Sequence, residues 1–457
     1  MLDDSDDRPG PSVSQVPHTA GKPDNRIRRP LQWAARLRNK HATPPFAGGT
    51  TIGTHFRVVL LHNYASAFLL PFIPAGFVVN YISTNATVIF CVNFVAIFPS
   101  ATILSAALKD LNIRMGQRLG ALVNQTFGNI VQLILSILLL KSDQIEVLKL
   151  SIIGTILSNL LLASGLSFLL GGRNRVDQYF NFDLARMICQ LLLLSVLTLT
   201  ITSTLRASID SSAWTPTLGA KTAKTISALS RGISVLVLIL YALWLVYSSH
   251  PTLYKRFPGL FREPTAQPGI ADRQAVNTTQ SVEDTGPSLH SIDEQGNETC
   301  LFSASGAVII MIVSITLLAF NTQFTTDSIQ GLLLRRKVSQ TFLSLIVLPL
   351  LSVDPMAISM AMKDKMDMSI LLTVERCMQT SLLLAPLTVI IGSGIGSKSM
   401  DLDFDTFSLT VLFLSIILVT HVMQGGRSNW LMGVLLIQAF VIIALAAFYM
   451  PDQDFAS

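Results

Sequence analysis

Residues 116–172 read GQRLGALVNQTFGNIVQLILSILLLKSDQIEVLKLSIIGTILSNLLLASGLSFLLGG, two apolar runs with amides set inside them. On a helix, Asn124, Gly128, Asn129 and Gln132 recur at three- to five-residue spacing and form one polar stripe, and Ser158 and Asn159 sit on the next run. Inside hydrocarbon such groups have no water to bond, so each must find a partner or line a wet path. The stripe therefore points to a binding site or a permeation path within a membrane-spanning bundle.

The composition around it agrees. Half of the 457 residues are hydrophobic, 13% are charged and the mean hydropathy is +0.53, whereas a soluble domain is roughly 25% charged. Apolar runs of spanning length lie near 59–79, 84–107, 118–140, 147–170, 182–204, 223–248, 302–321, 338–361, 369–392, 407–424 and 428–449. The expected fold is all-α and multi-pass, with about eleven transmembrane helices. No nucleotide loop, catalytic triad or cofactor motif is visible, so the chain does not read as an enzyme and no bound cofactor is expected.

Two polar regions divide the chain. Residues 1–57 form a tail expected to be disordered, with a basic run of Arg26, Arg28, Arg29, Arg36, Arg38 and Lys40 and no apolar signal-peptide core. Residues 251–300 are rich in Pro, Ser, Thr and acids, among them Glu283, Asp284, Asp293, Glu294 and Glu298, and read as a linker. The membrane halves are then 58–250 and 301–450, split six spans plus five, followed by a short tail at 451–457. Lys and Arg ahead of early spans favour the cytosolic side, which puts both the tail and the linker in the cytosol. Arg335, Arg336 and Lys337 oppose that orientation, since they would face the lumen. Asn277-Thr-Thr and Asn297-Glu-Thr match glycosylation sequons on the cytosolic side, where they would stay unused.

Partners follow from the same features. The lipid bilayer is one, and the basic tail suits an anionic lipid surface. There is no aromatic-basic module for nucleic acid, and Cys91, Cys189, Cys300 and Cys377 have neither disulfide nor zinc spacing.

The order GQ-x-LG-x-L-x-N-x-TFGN-x-V-x-L, then G-x-ILSNLLL-x-G-x-SF-x-LGG, resembles the first repeat of the calcium/proton exchanger family, the vacuolar cation exchangers within the sodium/calcium exchanger superfamily. NFVAIFPSATILSAALKDLNIRMGQ before it, DQYFNFDLARMICQLLLL after it, and ISALSRGISVLVLILYALWLVY at 226–247 resemble neighbouring spans of that family. The resemblance implies an extra first helix and two inverted five-helix repeats, here roughly 84–248 and 302–449, whose broken helices meet at the bilayer midplane. It also implies that Ca²⁺, or another divalent cation, moves into a vacuole in exchange for protons. A vacuolar membrane is the expected location, with a homo- or hetero-oligomer as a possible assembly.

Each family repeat carries a G-N-A-x-E motif whose acid binds Ca²⁺ or a proton. Here the first reads GNIVQL, so Gln132 stands in place of the Glu and can ligate without titrating. The second is replaced by LPLLSVDPMAISMAMKDKMD, and counting back from AMKDKMD puts Val353 and Asp354 near the lost motif. Asp354 is either a substitute acid or the cap of a half-helix at an Asp-Pro step. Gln323 replaces a further family Glu, while Asp327, Ser328 and Gln379 are kept. Glu375 and Arg376 are new charges, either snorkelling at a helix end or placing a fixed cation in the ion site.

The expected ion-binding or translocation set is therefore Asn124, Gly128, Asn129, Gln132, Ser158, Asn159, Asp354 and Gln379, with Gln132 and Asp354 as metal ligands. Gln323, Glu375 and Arg376 are expected modulators. Arg231 reads as a topology anchor, His421 beside Gln424 as a packed histidine, and Pro99, Pro349 and Pro386 as kinks. Loss of both motif glutamates leaves an alternative, a transport-inactive or regulatory paralogue on the same scaffold, or a transporter with another ion or an uncoupled leak.

Overall fold

The computed structural model describes residues 68–212, 216–249, 304–335, 339–395 and 400–450. The expected tails 1–57 and 451–457, the linker 251–300 with its sequons and Cys300, and Arg336 and Lys337 lie outside the described residues. Within them the chain is helical apart from short connections and one two-residue ribbon, Gln178–Tyr179 antiparallel to Arg427–Ser428.

Among the described residues eight helices are long and apolar enough to cross a membrane: Ala86–Asn112, Ile145–Gly171, Phe182–Arg206, Ser227–Ser248, Ser305–Leu334, Met366–Ile395, Thr406–Met423 and Trp430–Tyr449. Gln340–Ser352 and Pro355–Met362 add a pair bent by 56°. The runs expected at 59–79 and 118–140 give shorter apolar helices, Phe72–Ile82 and Gln125–Lys141. Helix continues from Asn112 to Phe127, but a Cβ on Gly120 would strike the Asn112 backbone. Residues eight apart on a straight helix are about 12 Å apart, so the chain folds back there.

Local chemistry explains where the helices stop. Asp405 caps Thr406–Met423 through the Ser408 N–H (3.0 Å), and Asn429 caps Trp430–Tyr449 through the Met432 N–H (3.0 Å). Two tight reversals use a left-handed aspartate, Asp143 (φ 54°) after Ile130–Lys141 and Asp364 (φ 62°) after Pro355–Met362. Aspartate tolerates this region better than branched residues do. The features recur in the same order: a helix break, a half-helix, a left-handed aspartate, then a span interrupted by π turns at Ser158–Ala163 or at Leu371–Glu375 and Thr380–Leu384.

The centre of the bundle is Ile145–Gly171, whose most apolar window is 83% buried against 28% for Trp430–Tyr449. Ile152, Ile153, Ile156, Leu157, Leu160 and Leu161 are fully buried, so the span is enclosed on all sides. Close crossings rely on small residues: Gly154 lies against the Leu345 carbonyl and Pro349, and Gly433 against Gly165 and Leu169. Leu236, Ile239, Leu243 and Val246 are exposed at helical spacing, as a lipid-facing stripe requires.

A buried ionic clamp, which the sequence did not announce, holds one end of the bundle. Lys149 Nζ bonds Asp401 Oδ1 at 2.7 Å, Arg206 Nη1 bonds Asp401 Oδ2 at 2.8 Å, and Arg206 Nε reaches Asp403 Oδ2 at 3.2 Å. The Ser203 hydroxyl accepts the Phe404 N–H and donates to the Leu402 carbonyl, and Ser230 accepts the Leu402 N–H. The turn between the last residues of one span and Thr406 is thereby tied to three other helices.

Two outcomes follow. Asp401→Asn leaves Lys149 buried without its carboxylate partner and is expected to destabilise the protein by about 3–5 kcal/mol, read by thermal unfolding in detergent. A melting temperature equal to wild type contradicts the clamp. Burial raises the Asp403 carboxyl above its ordinary 3.8, with Arg206 and Lys149 lowering it and Asp401 and Glu146 raising it. The folded state thus holds this proton more tightly than the unfolded one. Its stabilisation is full below the unfolded value and is lost as pH rises through the folded value, so Asp403→Asn should flatten the pH dependence of melting just above 3.8.

Candidate functional site

The expected stripe lies at a helix break. Gly128 and Asn129 interrupt the helix between Phe127 and Ile130, and the partly buried Gly128 leaves room for the turn. Asn124 belongs to the preceding helix, and its side chain is outside those described. Asn129 is buried and does not cap its own helix; its Nδ2 donates to Thr380 Oγ1 at 2.8 Å. One turn further, Gln132 is fully buried, donates Nε2 to Ser151 Oγ at 3.0 Å and leaves Oε1 with no hydrogen-bond partner.

Ser151 begins a ladder along one face of the central span. Ser151, Thr155 and Asn159 are spaced i, i+4, i+8: the Thr155 hydroxyl donates to the Ser151 carbonyl (2.8 Å), and Asn159 Nδ2 donates to the Thr155 carbonyl and to Ser352 Oγ (both 3.0 Å). Asn159 Oδ1, like Gln132 Oε1, is buried without a partner. Ser158 donates to the Thr155 and Pro349 carbonyls, each at 3.3 Å. Eight residues of helix, about 12 Å, separate Ser151, which Gln132 holds, from Asn159, which Ser352 holds. Ca²⁺ ligands sit only 2.3–2.6 Å or so from the ion. Gln132 thus holds one end of this ladder, and the other end holds Ser352, two residues before Asp354.

The far end is the bent pair. The tight Leu348–Ser352 turn ends in carbonyls that the next half-helix does not use, and Pro355, lacking an N–H, starts that helix. Asp354 caps that helix, its Oδ1 accepting the Met356 N–H at 2.9 Å, while its Oδ2 lies 2.9 Å from Arg376 Nη2. Arg376 Nη1 donates to the Ser352 carbonyl at 3.2 Å. Asp354 thus caps the half-helix, one of its two expected roles, and pairs with Arg376 at the same time. Counted back from the left-handed aspartates, Gln132 is 143 − 132 = 11 residues upstream and Asp354 is 364 − 354 = 10, nearly matching positions.

Glu375 and Arg376 bond in different directions, as adjacent helical residues should. Glu375 Oε1 accepts from Gln125 Nε2 at 2.7 Å, and Gln125 also contacts Ser248 at 3.4 Å. Gln379 is buried on the same span, beside Thr380, whose hydroxyl donates to the Arg376 carbonyl (2.9 Å). Gln125, Ser151, Thr155, Ser352 and Thr380 join the cluster without belonging to the expected set. The i, i+4, i+8 spacing was the only sequence signal for part of this set.

Other expected residues lie apart. Gln323 and Asp327 are on an exposed face of their helix, outside the buried cluster, because their neighbours Thr322, Thr325 and Thr326 take the inward positions. His421 is exposed near its helix end, which corrects the expectation of a packed histidine. Arg231 is exposed, and Cys189 and Cys377 are buried within helices. Among the described residues no group of three or more His, Cys, Asp or Glu could hold a metal ion. The cluster offers neutral oxygens, one ion pair and one further carboxylate.

The comparisons agree with this architecture. The model of the family described as "Sodium/calcium exchanger protein" matches residues 85–249 and 306–449. A vacuolar calcium ion transporter of Schizosaccharomyces pombe is 31% identical over 397 residues, covering 86% of this chain and 87% of its own. A Ca²⁺/H⁺ antiporter of Aphanothece halophytica is 30% identical over 386 residues, covering 84% and 96%. The structure of native YfkE superposes with a TM-score of 0.65 at 24% identity, covering 87% of this chain and all of that one, and shares the fold. A multi-pass helical membrane protein with matches of this extent in both halves has one placement: the chain belongs to the sodium/calcium exchanger family of transporters.

Proposed function

We propose that this protein is a cation/proton antiporter that moves Ca²⁺, or another divalent cation, at the break between Ser352 and Pro355. One observation carries the reading: the Ser352 carbonyl and the Asp354 carboxylate converge on a single positive charge, here the guanidinium of Arg376. The negative end of one helix dipole and a buried carboxylate make that point attractive to cations. Hard oxygens are also what Ca²⁺ selects. Names of the relatives support the substrate pair, since they include calcium ion transporters and Ca²⁺/H⁺ antiporters.

Roles follow from chemistry. Asp354 takes the cation, with Ser352 and Asn159 supplying neutral oxygens beside it. Gln132 and Asn129, at the first break, line the path with amides and bring no charge. Gln379 lies on the span that also carries Thr380 and Arg376. Exchange needs a group that trades a proton for a cation, and Glu375 is the second carboxylate of the cluster able to do so. The substrates are the cation and protons, with no resident cofactor. The recurring order of break, half-helix and left-handed aspartate supports two repeats of opposite orientation rocking about this centre.

Location in a vacuolar membrane rests on the named relatives, and a cytosolic tail and linker rest on the basic run ahead of the first span. The Arg376–Asp354 pair is also the one observation favouring a second reading, a scaffold whose site is shut. Ca²⁺ uptake into vesicles carrying an inside-acid pH gradient separates the two. Wild type should accumulate Ca²⁺ and lose it when a protonophore collapses the gradient, and Asp354→Asn should lower uptake by about tenfold or more, as expected when a charge-assisted ligand is removed. Uptake no higher than in empty vesicles contradicts transport, and undiminished uptake in Asp354→Asn contradicts the assigned acid.

A further inference from the structure

We propose that Arg376 is a built-in competitor for the transported cation, so that the cation binds only by displacing the guanidinium from Asp354 and Ser352. The proposal rests on the transport site described above and names what sets its affinity and charge preference.

Three observations carry it. The guanidinium takes the donor atoms a cation would use, Asp354 Oδ2 at 2.9 Å and the Ser352 carbonyl at 3.2 Å. Both partners are largely enclosed, with side-chain exposures of 15% and 10%, so water screens the pair weakly. An Arg stays charged under all working conditions, and two cations within a few ångströms repel strongly in such surroundings. Arg376 and a divalent cation therefore exclude each other from this point.

The third observation concerns how the side chain can leave. Arg376 begins a four-residue helical segment, Arg376–Gln379, flanked by π turns at Leu371–Glu375 and Thr380–Leu384. π turns hold an extra residue per turn and cluster at functional positions. A segment between two of them can change register without unfolding the span. With Arg376 seated the Asp354 site carries no net charge, which weakens its pull on any cation. A divalent ion gains twice the Coulomb energy of a monovalent one at the carboxylate and is the better able to expel the guanidinium.

The test uses purified full-length protein in detergent, with Ca²⁺ itself as the probe and equilibrium binding as the readout. Arg376→Gln removes the competing charge and keeps a hydrogen-bonding side chain, while Arg376→Lys keeps the charge. The inference expects Arg376→Gln to bind Ca²⁺ at least about tenfold more tightly than wild type, with Na⁺ affinity rising by a similar factor, and Arg376→Lys to stay within about threefold of wild type. A purely structural Arg would instead lower thermal stability and leave Ca²⁺ affinity unchanged or weakened in the Gln variant. That result overturns the proposal, as does a Lys variant that behaves like Gln. Tighter binding in Arg376→Gln without vesicle uptake by any variant would sink the exchange reading and keep the competitor. Unchanged binding with normal wild-type uptake would do the reverse.

Discussion

A break in a membrane helix frees carbonyls at one end and N–H groups at the other, and in hydrocarbon neither can be left bare. Between Ser352 and Pro355 both debts are settled locally. Side-chain hydroxyls of Ser158 and Ser352 meet the Pro349 carbonyl, the guanidinium of Arg376 meets the Ser352 carbonyl, and Asp354 meets the Met356 N–H. The carboxylate that caps one half-helix and the guanidinium that satisfies the other then face each other. The ion pair follows from the break, and the surrounding spans are placed to supply its partners.

That arrangement also explains why the two halves of the cluster differ. At the first break, Asn129 and Gln132 reach across to Thr380 and Ser151 with neutral groups alone. At the second, a half-helix of eight residues replaces one of twelve, which brings an acid to the cap position. The neutral break leaves the Gln132 amide oxygen unpaired, whereas the charged break needs a counter-ion.

Much of this was legible in residue order. Apolar length located the spans, and the amides of 116–172 marked the first break, because polar groups in hydrocarbon have few structural uses. The Asp-Pro step announced both a cap and an acid. What the sequence left unread is mostly long-range: Gln125 to Glu375 spans 250 positions, Lys149 to Asp401 spans 252, and nothing local pairs either set. Gln323 looked equivalent to an inward-facing position, yet its helix turns it outward, since a one-residue shift moves a side chain by about 100°. Gln132 and Asp354 occupy similar places in their segments, yet Gln132 bonds Ser151 at one end of the ladder whereas the other end meets Ser352, beside Asp354.

The central claim is that cations bind at the break between Ser352 and Pro355 in place of Arg376. An experimental structure of the full-length protein soaked with Sr²⁺, whose anomalous scattering marks the ion, tests this most directly. The account predicts a peak between Asp354 and the Ser352 carbonyl, with the guanidinium swung out of both contacts. A peak beside Gln132 and Ser151, with the Arg376–Asp354 pair intact, would contradict it.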